Sequence, residues 1–306
     1  MMNDRSRAQL TRWLNTTRLP LPYELRTLLL DVIVGAKLCR VKLPVDDLYL
    51  ELDLADSMQA NVYLDNAWEP VLSNWAAFFA SRGAQVIADV GAQVGYFTLL
   101  MLHYAPDAVL HAFEPNPAAF KQLKRNADLN GLRATLNQAA IAEGDNSAEA
   151  FHRPHRFQLG VGRLGQLAHS RETIFVQTTS LDNYAARHGL PRIDLVKMDI
   201  EGSEAQALPG MTAGLKAGFY GALLIEFHQH ILAPAESQAA LDLLRDSGYH
   251  LYEIHLDRLV ASRSIKTAHL CALSPQTHRD LGSPEVEYKL PPEFRPPYPL
   301  ADISGK

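Results

Sequence analysis

Between residues 85 and 274 the chain alternates short apolar runs with amphipathic stretches, and this rhythm limits the fold more than any other feature. "QVIADV" (85–90) reads as a strand, 96–104 as a helix, "AVLHAF" (108–113) as a strand and 117–130 as a helix. "ATLNQAAI" (134–141), "IDLVKMDI" (193–200), "GFYGALLIEF" (218–227), "YHLYEI" (249–254) and "HLCALS" (269–274) continue the strands, with helical pattern over 203–217 and 235–247. Apolar strands separated by amphipathic helices imply a mostly parallel, doubly wound α/β sheet covered on both faces. Local punctuation agrees. Asn116 can cap the helix that Pro117 opens, and Gly131 stops it.

The flanks follow other rules. Residues 1–45 read as one or two helices, with a stripe of Leu25, Leu28, Leu29, Val32 and Ile33 suited to packing across the main domain or, alternatively, to a membrane surface or a dimer. "LYLELDLADSMQANVYL" (48–64) holds two strand-like runs around a polar turn, which predicts an antiparallel hairpin. "EPVLSNWAAFFASRG" (69–83) reads as a helix closed by Gly83. The stretch 144–172, rich in Gly, His and Arg, reads as a long loop with one short strand, and such loops are often functional. After it, "TIFVQTTSLDNYAARHG" (173–189) brings a strand and a short helix. The tail "SPEVEYKLPPEFRPPYPL" carries six prolines and should form no regular helix or sheet. The implied units are an N-terminal extension over 1–67, a main domain over 68–275 and a tail over 276–306.

Composition narrows the class. With 47% apolar and 21% charged residues among 306, the chain has material for one large domain plus additions. A net charge of −5 with scattered Lys and Arg argues against nucleic acid as a partner. Cys39 and Cys271 suit a reducing compartment and give no disulfide framework. "MMNDRSRAQLTRW" lacks the apolar core of a signal peptide, and no run reaches the ~20 apolar residues of a membrane span. The expectation is a soluble, cytoplasmic protein without an integral membrane segment; a homo-oligomer is compatible with it.

The chemistry begins at "DVGAQVG" (89–95). In a parallel sheet, ligands sit beyond the carboxyl ends of the strands where the strand order reverses. Gly91 lets the backbone turn sharply, and Gly95 permits close approach of a ligand or helix. Glu114 ends the second strand about 20 residues on, where ribose hydroxyls are held. A dinucleotide needs G-x-G-x-x-G to seat its pyrophosphate on bare backbone. Here one glycine is missing, and Asp89 adds negative charge. S-adenosylmethionine, with a sulfonium and an ammonium group, is attracted by such a carboxylate. A nicotinamide-dependent oxidoreductase is the alternative enzyme, and a catalytically lapsed donor-binding or interaction module the alternative outside catalysis.

Further segments occur in order: "DVGAQVGYFTL", "FEPNPAAFKQLKRNADLNG", "TLNQAAI", "TTSLDNYA", "IDLVKMDIEGSEAQALPGM" and "ALLIEFH". Together they resemble the FkbM family of S-adenosylmethionine-dependent methyltransferases from about Glu69 to His228. The resemblance implies a seven-stranded class I methyltransferase (Rossmann-like) sheet with one antiparallel strand. It also implies methyl transfer to a hydroxyl of a sugar, glycolipid or polyketide-type acceptor. One departure stands out: the family usually carries Asn where this chain has Gln93, and Gln tolerates left-handed backbone less well.

The implied donor site comprises Asp89, Gly91, Ala92, Gln93, Gly95 and Tyr96, with Glu114, Pro115 and Asn116 at the ribose. Asn137, Gln138, Ala139 and Ala140 fall near the adenine, and Asp199 near the methyl group. "KMDIEGSE" and "IEFH" bring Asp199, Glu201, Glu204, Glu226 and His228 to one sheet edge, with Asp199, Glu201, Glu226 and His228 as the catalytic set. His228, whose ordinary pKa lies near neutrality, is the first candidate for the base, with Asp199 or Glu201 competing. Ser203 to Gln206 fits a capping box, so Glu204 reads partly as a helix start. Asp199, Glu201 and Glu226 could hold a divalent ion, but there is no dedicated metal motif. "HRPH" (152–155) and "HQH" (228–230), without thiolates nearby, read as loop residues rather than a zinc site. Arg153, His155 and Arg156 suit either an anionic group on a small-molecule or glycosidic acceptor or a solvated loop face.

Overall fold

The computed structural model describes residues 3–16, 38–43, 45, 48–153, 162–164, 172–228, 231–262 and 268–299. Strands β1 (Leu38–Lys42) and β2 (Tyr49–Asp53) form an antiparallel hairpin, pairing Leu38 with Asp53 and Lys42 with Tyr49. The hairpin therefore lies upstream of its expected place. Residues Ser57–Asp65 are helical instead, because Asp56 caps the first turn by accepting the Gln59 N–H at 3.0 Å. The apolar stripe at Leu25–Ile33 falls outside the described residues.

Next come β3 (Val86–Val90), β4 (Val109–Phe113) and β5 (Ala134–Asn137), joined by the helices Tyr96–Tyr104 and Pro117–Leu129. The run 134–141 breaks after Asn137. Its second half, β6 (Ala140–Ile141), joins β7 (Asn146–Arg153), β8 (Arg163–Leu164) and β9 (Glu172–Thr179) in a separate sheet of order β6-β9-β7-β8. Most of the described residues of the expected 144–172 loop are thus paired strand; 154–161 and 165–171 lie outside the described residues.

The chain then returns to the main sheet through β10 (Ile193–Met198), β11 (Tyr220–Glu226), β12 (His250–Ile254), β13 (Arg258–Ala261), β14 (His269–Leu273) and β15 (Glu287–Lys289). The main sheet runs β15-β13-β12-β14-β11-β10-β3-β4-β5. Its heart, from β12 to β5, is the expected seven strands: β5, β4, β3, β10 and β11 pair in parallel, and β14 runs antiparallel between β11 and β12. Two short antiparallel pairings, β12 with β13 and β13 with β15, extend one edge to nine strands. The tail was expected to form no regular structure. It forms β15 because Pro284 and Pro291 flank the paired residues rather than occupy them.

Both faces of the sheet are covered, as all-apolar strands require. Alternation along β3 sends Ile87 into a core shared with the helices Pro70–Ser81 and Tyr96–Tyr104, while Val86, Ala88 and Val90 enter the opposite core. The second core takes the helices Leu181–Arg187 and Pro234–Asp246 and the interrupted segment 204–216. Pro209 divides that segment into Glu204–Ala207, a 3₁₀ turn Leu208–Met211, and Thr212–Lys216. Among the described residues no helix is long and apolar enough to cross a membrane.

Candidate active site

The ends of β3 and β10 meet without room for a side chain. A Cβ on Gly91 (φ +81°) would lie 1.8 Å from the Asp199 carbonyl oxygen. The Asp199 N–H donates to the Val90 carbonyl (3.0 Å), and the N–H groups of Gly91 and Ala92 donate to Phe113 O (3.0 and 2.9 Å). Gly95 (φ +96°) caps the next helix, and a Cβ there would press Leu123 Cδ1 at 2.8 Å, so the approach it permits is that of a helix. Between them Gln93 is forced to φ +50°. A left-handed non-glycine residue costs of order 1 kcal/mol, less for Asn. Gln93→Asn is therefore expected to stabilise the fold by about 0.5–1 kcal/mol, read as a rise in urea midpoint at unchanged slope. A lower midpoint would show that Gln93 is not strained.

Above this turn opens a cavity of about 220 Å³. Gly91, Ala92, Gln93, Tyr96, Glu114, Pro115, Ala139, Ala140, Asp199 and Glu201, all candidates from the sequence, line it. Ser57, Met58, Asn61 and Trp68 form one wall, and Phe151, Gly162 and Leu164 of the small sheet form another. Glu114 is buried, and its two oxygens accept the N–H groups of Gln93 (2.9 Å) and Asn116 (2.8 Å). Burial raises its pKa to about 7 despite those two donors.

Other expected donor residues stand behind the wall. Asp89 is fully buried below it, accepting from Thr98 Oγ1 at 2.5 Å and facing Lys197 Nζ at 3.8 Å. Its charge is answered inside the protein. Asn116 is the helix cap, accepting from the Ala118 N–H at 3.1 Å. Asn137 spends its side chain on the Ala112 carbonyl (3.1 Å) and the Tyr184 hydroxyl (3.2 Å), and Gln138 is exposed.

The second expected cluster does assemble. Lys197 is buried in β10, donating to the Gly91 carbonyl (3.0 Å) and lying 3.5 Å from Asp199. Burial alone would lower its pKa, but Asp199, Asp89, Glu69 and Glu226 outweigh that and hold it charged. His228 Nδ1 meets Glu204 at 2.9 Å, while Nε2 faces Glu201 at 3.4 Å and Glu226 at 3.7 Å. His228 does not line the cavity; Glu201 does, and stands next to it. Burial, then Asp199, raises Glu201 to about 8, against the pull of His228. Burial pulls His228 down, but the Glu204 hydrogen bond leads the groups that carry it up to about 9. Glu69 is raised well above the ordinary carboxylate range by burial and by Asp199 and Glu226.

Asp199, Glu226 and His228 present ligand atoms within 4.8 Å of one another, as do Glu69, Glu226 and His269. The first set differs from the expected one by His228 in place of Glu201. Lys197 already supplies a positive charge to these acids. His155, Arg156 and His230 lie outside the described residues, as does the Arg153 side chain.

Sequence reasoning missed two of these residues. Lys197 carried a signal: a charge in the middle of the apolar run "IDLVKMDI". Glu69 carried none, since an acid before Pro70 at a helix start reads as ordinary capping. Glu204, named among the acids at this edge but read partly as a helix start, instead holds His228 at 2.9 Å, and the capping box does not form. Ser203 makes no cap bond, and its Oγ accepts the Leu164 N–H at 3.1 Å instead. Five non-glycine residues have positive φ among the described residues, and three of them, Glu69, Gln93 and Glu201, surround this site.

A sheet of this order, with a cavity over the ends of β3, β4 and β10 and a buried carboxylate closing β4, defines a class I methyltransferase fold. Residues 89–251, more than half of the chain, match the methyltransferase FkbM domain. The chain belongs to the FkbM methyltransferase family, a class whose methyl donor is S-adenosylmethionine. Relatives include 31-O-demethyl-FK506 methyltransferase FkbM of Streptomyces tacrolimicus, 27% identical over 157 residues, or 42% of this chain and 60% of the relative. The 2-O-methyltransferase NoeI of Sinorhizobium fredii is 29% identical over 139 residues, 41% of this chain and 56% of the relative. The hexuronic acid methyltransferase AglP of Haloferax volcanii is 28% identical over 152 residues, 47% of this chain and 56% of the relative. The chain thus spans little more than half the length of these curated relatives.

Proposed function

We propose that the protein is an S-adenosylmethionine-dependent O-methyltransferase acting on a hydroxyl of a small or glycosidic acceptor. One observation carries the reading: a single cavity joins a buried carboxylate at the end of β4 to an acidic cluster at the end of β10. Glu114, with lone pairs beyond those its two N–H donors use, suits a ribose diol. Pro115, Ala139, Ala140, Ile141 and Leu164 offer an apolar bed for adenine. Asp199 suits the cationic end. Lys197 is the one cationic side chain among the described lining residues, and its charge is turned to carboxylates, so nothing there favours a pyrophosphate.

When bound, the donor supplies an electrophilic methyl group. The chain's own part is to align the acceptor oxygen and to take its proton. Glu201 is placed for the second task, since it lines the cavity with His228 beside it and Glu204 fixing the imidazole. Two relatives, the 31-O-demethyl-FK506 methyltransferase and the 2-O-methyltransferase NoeI, are O-methyltransferases by name, which supports transfer to oxygen.

Calorimetric titration with S-adenosylmethionine and with NAD tests the donor. Binding of the first and not the second is expected, and the reverse would make the protein a nicotinamide enzyme. Incubation with donor carrying a labelled methyl, followed by base-stable label on a hydroxyl of a glycoside, tests the transfer. Tight donor binding with no transfer to any of a broad acceptor panel would favour a lapsed module.

A further inference from the structure

The proline-rich tail reaches back to the donor pocket at one residue. Tyr298 is buried, and its hydroxyl is hydrogen-bonded to that of Tyr96, the first helical residue after the glycine turn and a lining residue of the cavity. Tyr96 Oη lies 3.2 Å from Ser73 Oγ, which donates to the Trp68 carbonyl at 2.7 Å. Trp68 lines the same cavity from the segment before the helix Pro70–Ser81. The hydroxyls of Tyr298, Tyr96 and Ser73 thus form a buried chain tying two walls of the pocket to each other and to the tail.

The tail is held in register for this contact. Asn74, fully buried, donates from Nδ2 to the Tyr298 carbonyl and accepts the Tyr298 N–H at Oδ1, both at 3.1 Å. Phe294 packs on Phe78 with ring centroids 5.4 Å apart, and the Tyr104 hydroxyl donates to the Arg295 carbonyl at 3.3 Å. A side chain that served only to cover apolar surface would need neither the amide clamp nor the hydroxyl. Buried hydroxyl chains of this kind fix the geometry of every member, because each loses its partner if one moves.

We propose that Tyr298 is a positioning residue for the donor pocket: through its hydroxyl it fixes Tyr96 and, by way of Ser73, the Trp68 wall. The inference rests on the cavity being the S-adenosylmethionine site. Tyr298 touches no donor atom in this scheme. It sets the shape into which the donor fits, and the same contact makes donor affinity depend on a segment remote in sequence.

The test uses the full chain and Tyr298→Phe, which keeps the ring and removes the hydroxyl. The expected result is a rise of about three- to tenfold in the Kd and KM for S-adenosylmethionine, the scale of one hydrogen bond's effect. At saturating donor kcat should hold within about twofold, because no reacting atom is touched. In a Tyr96→Phe background the same substitution should add no further weakening, since the link it breaks is already gone. A merely structural Tyr298 would lower the urea midpoint and leave Kd unchanged, and that pattern overturns the inference. Equal weakening in both backgrounds also overturns it, because the effect would not pass through Tyr96. If the unaltered protein does not bind the donor, the reading of the cavity falls and this inference falls with it; donor binding by the unaltered protein with unchanged Kd in Tyr298→Phe removes the inference alone.

Discussion

Glu201→Gln is expected to lower kcat by about 10²- to 10⁴-fold, the usual range for loss of a general base. The argument is geometric before it is electrostatic. Of the candidate bases, His228 is screened from the cavity and Asp199 is engaged by Lys197 at 3.5 Å, whereas Glu201 lines the cavity and is backed by the imidazole. A carboxylate becomes a useful base when its pKa approaches the working pH, and burial with Asp199 nearby brings Glu201 to about 8. The sign of the pH dependence follows. The base must be ionised, so kcat/KM should rise with pH through about 8 and flatten above it. His228 lowers the Glu201 pKa, so His228→Gln should move that limb to higher pH and cost activity most at neutrality. A limb that stays in place, or shifts to lower pH, would mean that the imidazole does not act through Glu201. A Glu201→Gln enzyme with nearly full kcat would return the base to Asp199 or to water.

How far the sequence could lead to this site depends on which physical signal each residue leaves. Period-2 and period-3.6 patterning marked every strand of the seven-stranded heart, because all but the half-exposed edge strand β5 are largely buried and tolerate little but apolar residues. The same reasoning failed at β13 and β15, which are three or four residues long and half exposed, so their composition resembles loop. It also failed on the hairpin, where "LYLELD" is a strand but "SMQANVYLD" is a helix fixed by the Asp56 cap rather than by its residues' β preference. In the site, glycine turns and strand-end acids were legible because they follow backbone geometry. Which acid faces the cavity was not legible. Asp89, Asp199 and Glu201 look alike in sequence, yet Asp89 is paired with Lys197 beneath the floor, while Asp199 lines the cavity beside that lysine and Glu201 lines it beside an imidazole. That division depends on Lys197 and on the positive φ of Glu201, neither of which periodicity reports.

The strained backbones belong to the same account. Glu69, Gln93 and Glu201 come from three different connections, and each is held at φ between 41° and 54°. Each costs of order 1 kcal/mol, and the surrounding contacts must impose it. Gln93 turns its N–H to Glu114, and Glu201 turns its carboxylate to His228. Two of these left-handed residues, Gln93 and Glu201, thus set the hydrogen bonding of the two cavity-lining glutamates, Glu114 and Glu201. This is why Gln93→Asn should raise stability without dismantling the turn.

Glu114→Ala is expected to weaken S-adenosylmethionine binding by about 1–3 kcal/mol, roughly ten- to a hundredfold in Kd. Charged hydrogen bonds to ribose hydroxyls are lost, and so are the acceptors of the Gln93 and Asn116 N–H groups, which shape the turn. Glu114→Gln should do nearly as badly, because a carboxamide has one acceptor oxygen where two N–H groups converge. Since both variants disturb the turn, the unaltered protein offers a cleaner check. Burial holds Glu114 near pH 7, and the ionised form is the better acceptor for a diol. Donor Kd should then be constant above pH 8 and rise about tenfold on going to pH 6, with proton release on binding in that interval. The sign is set by the raised pKa: the free site gains a proton as pH falls through 7, and the donor must displace it. A Kd flat from pH 6 to 8, together with unchanged affinity in Glu114→Ala, would remove Glu114 from the ribose and leave the end of β4 a purely structural corner.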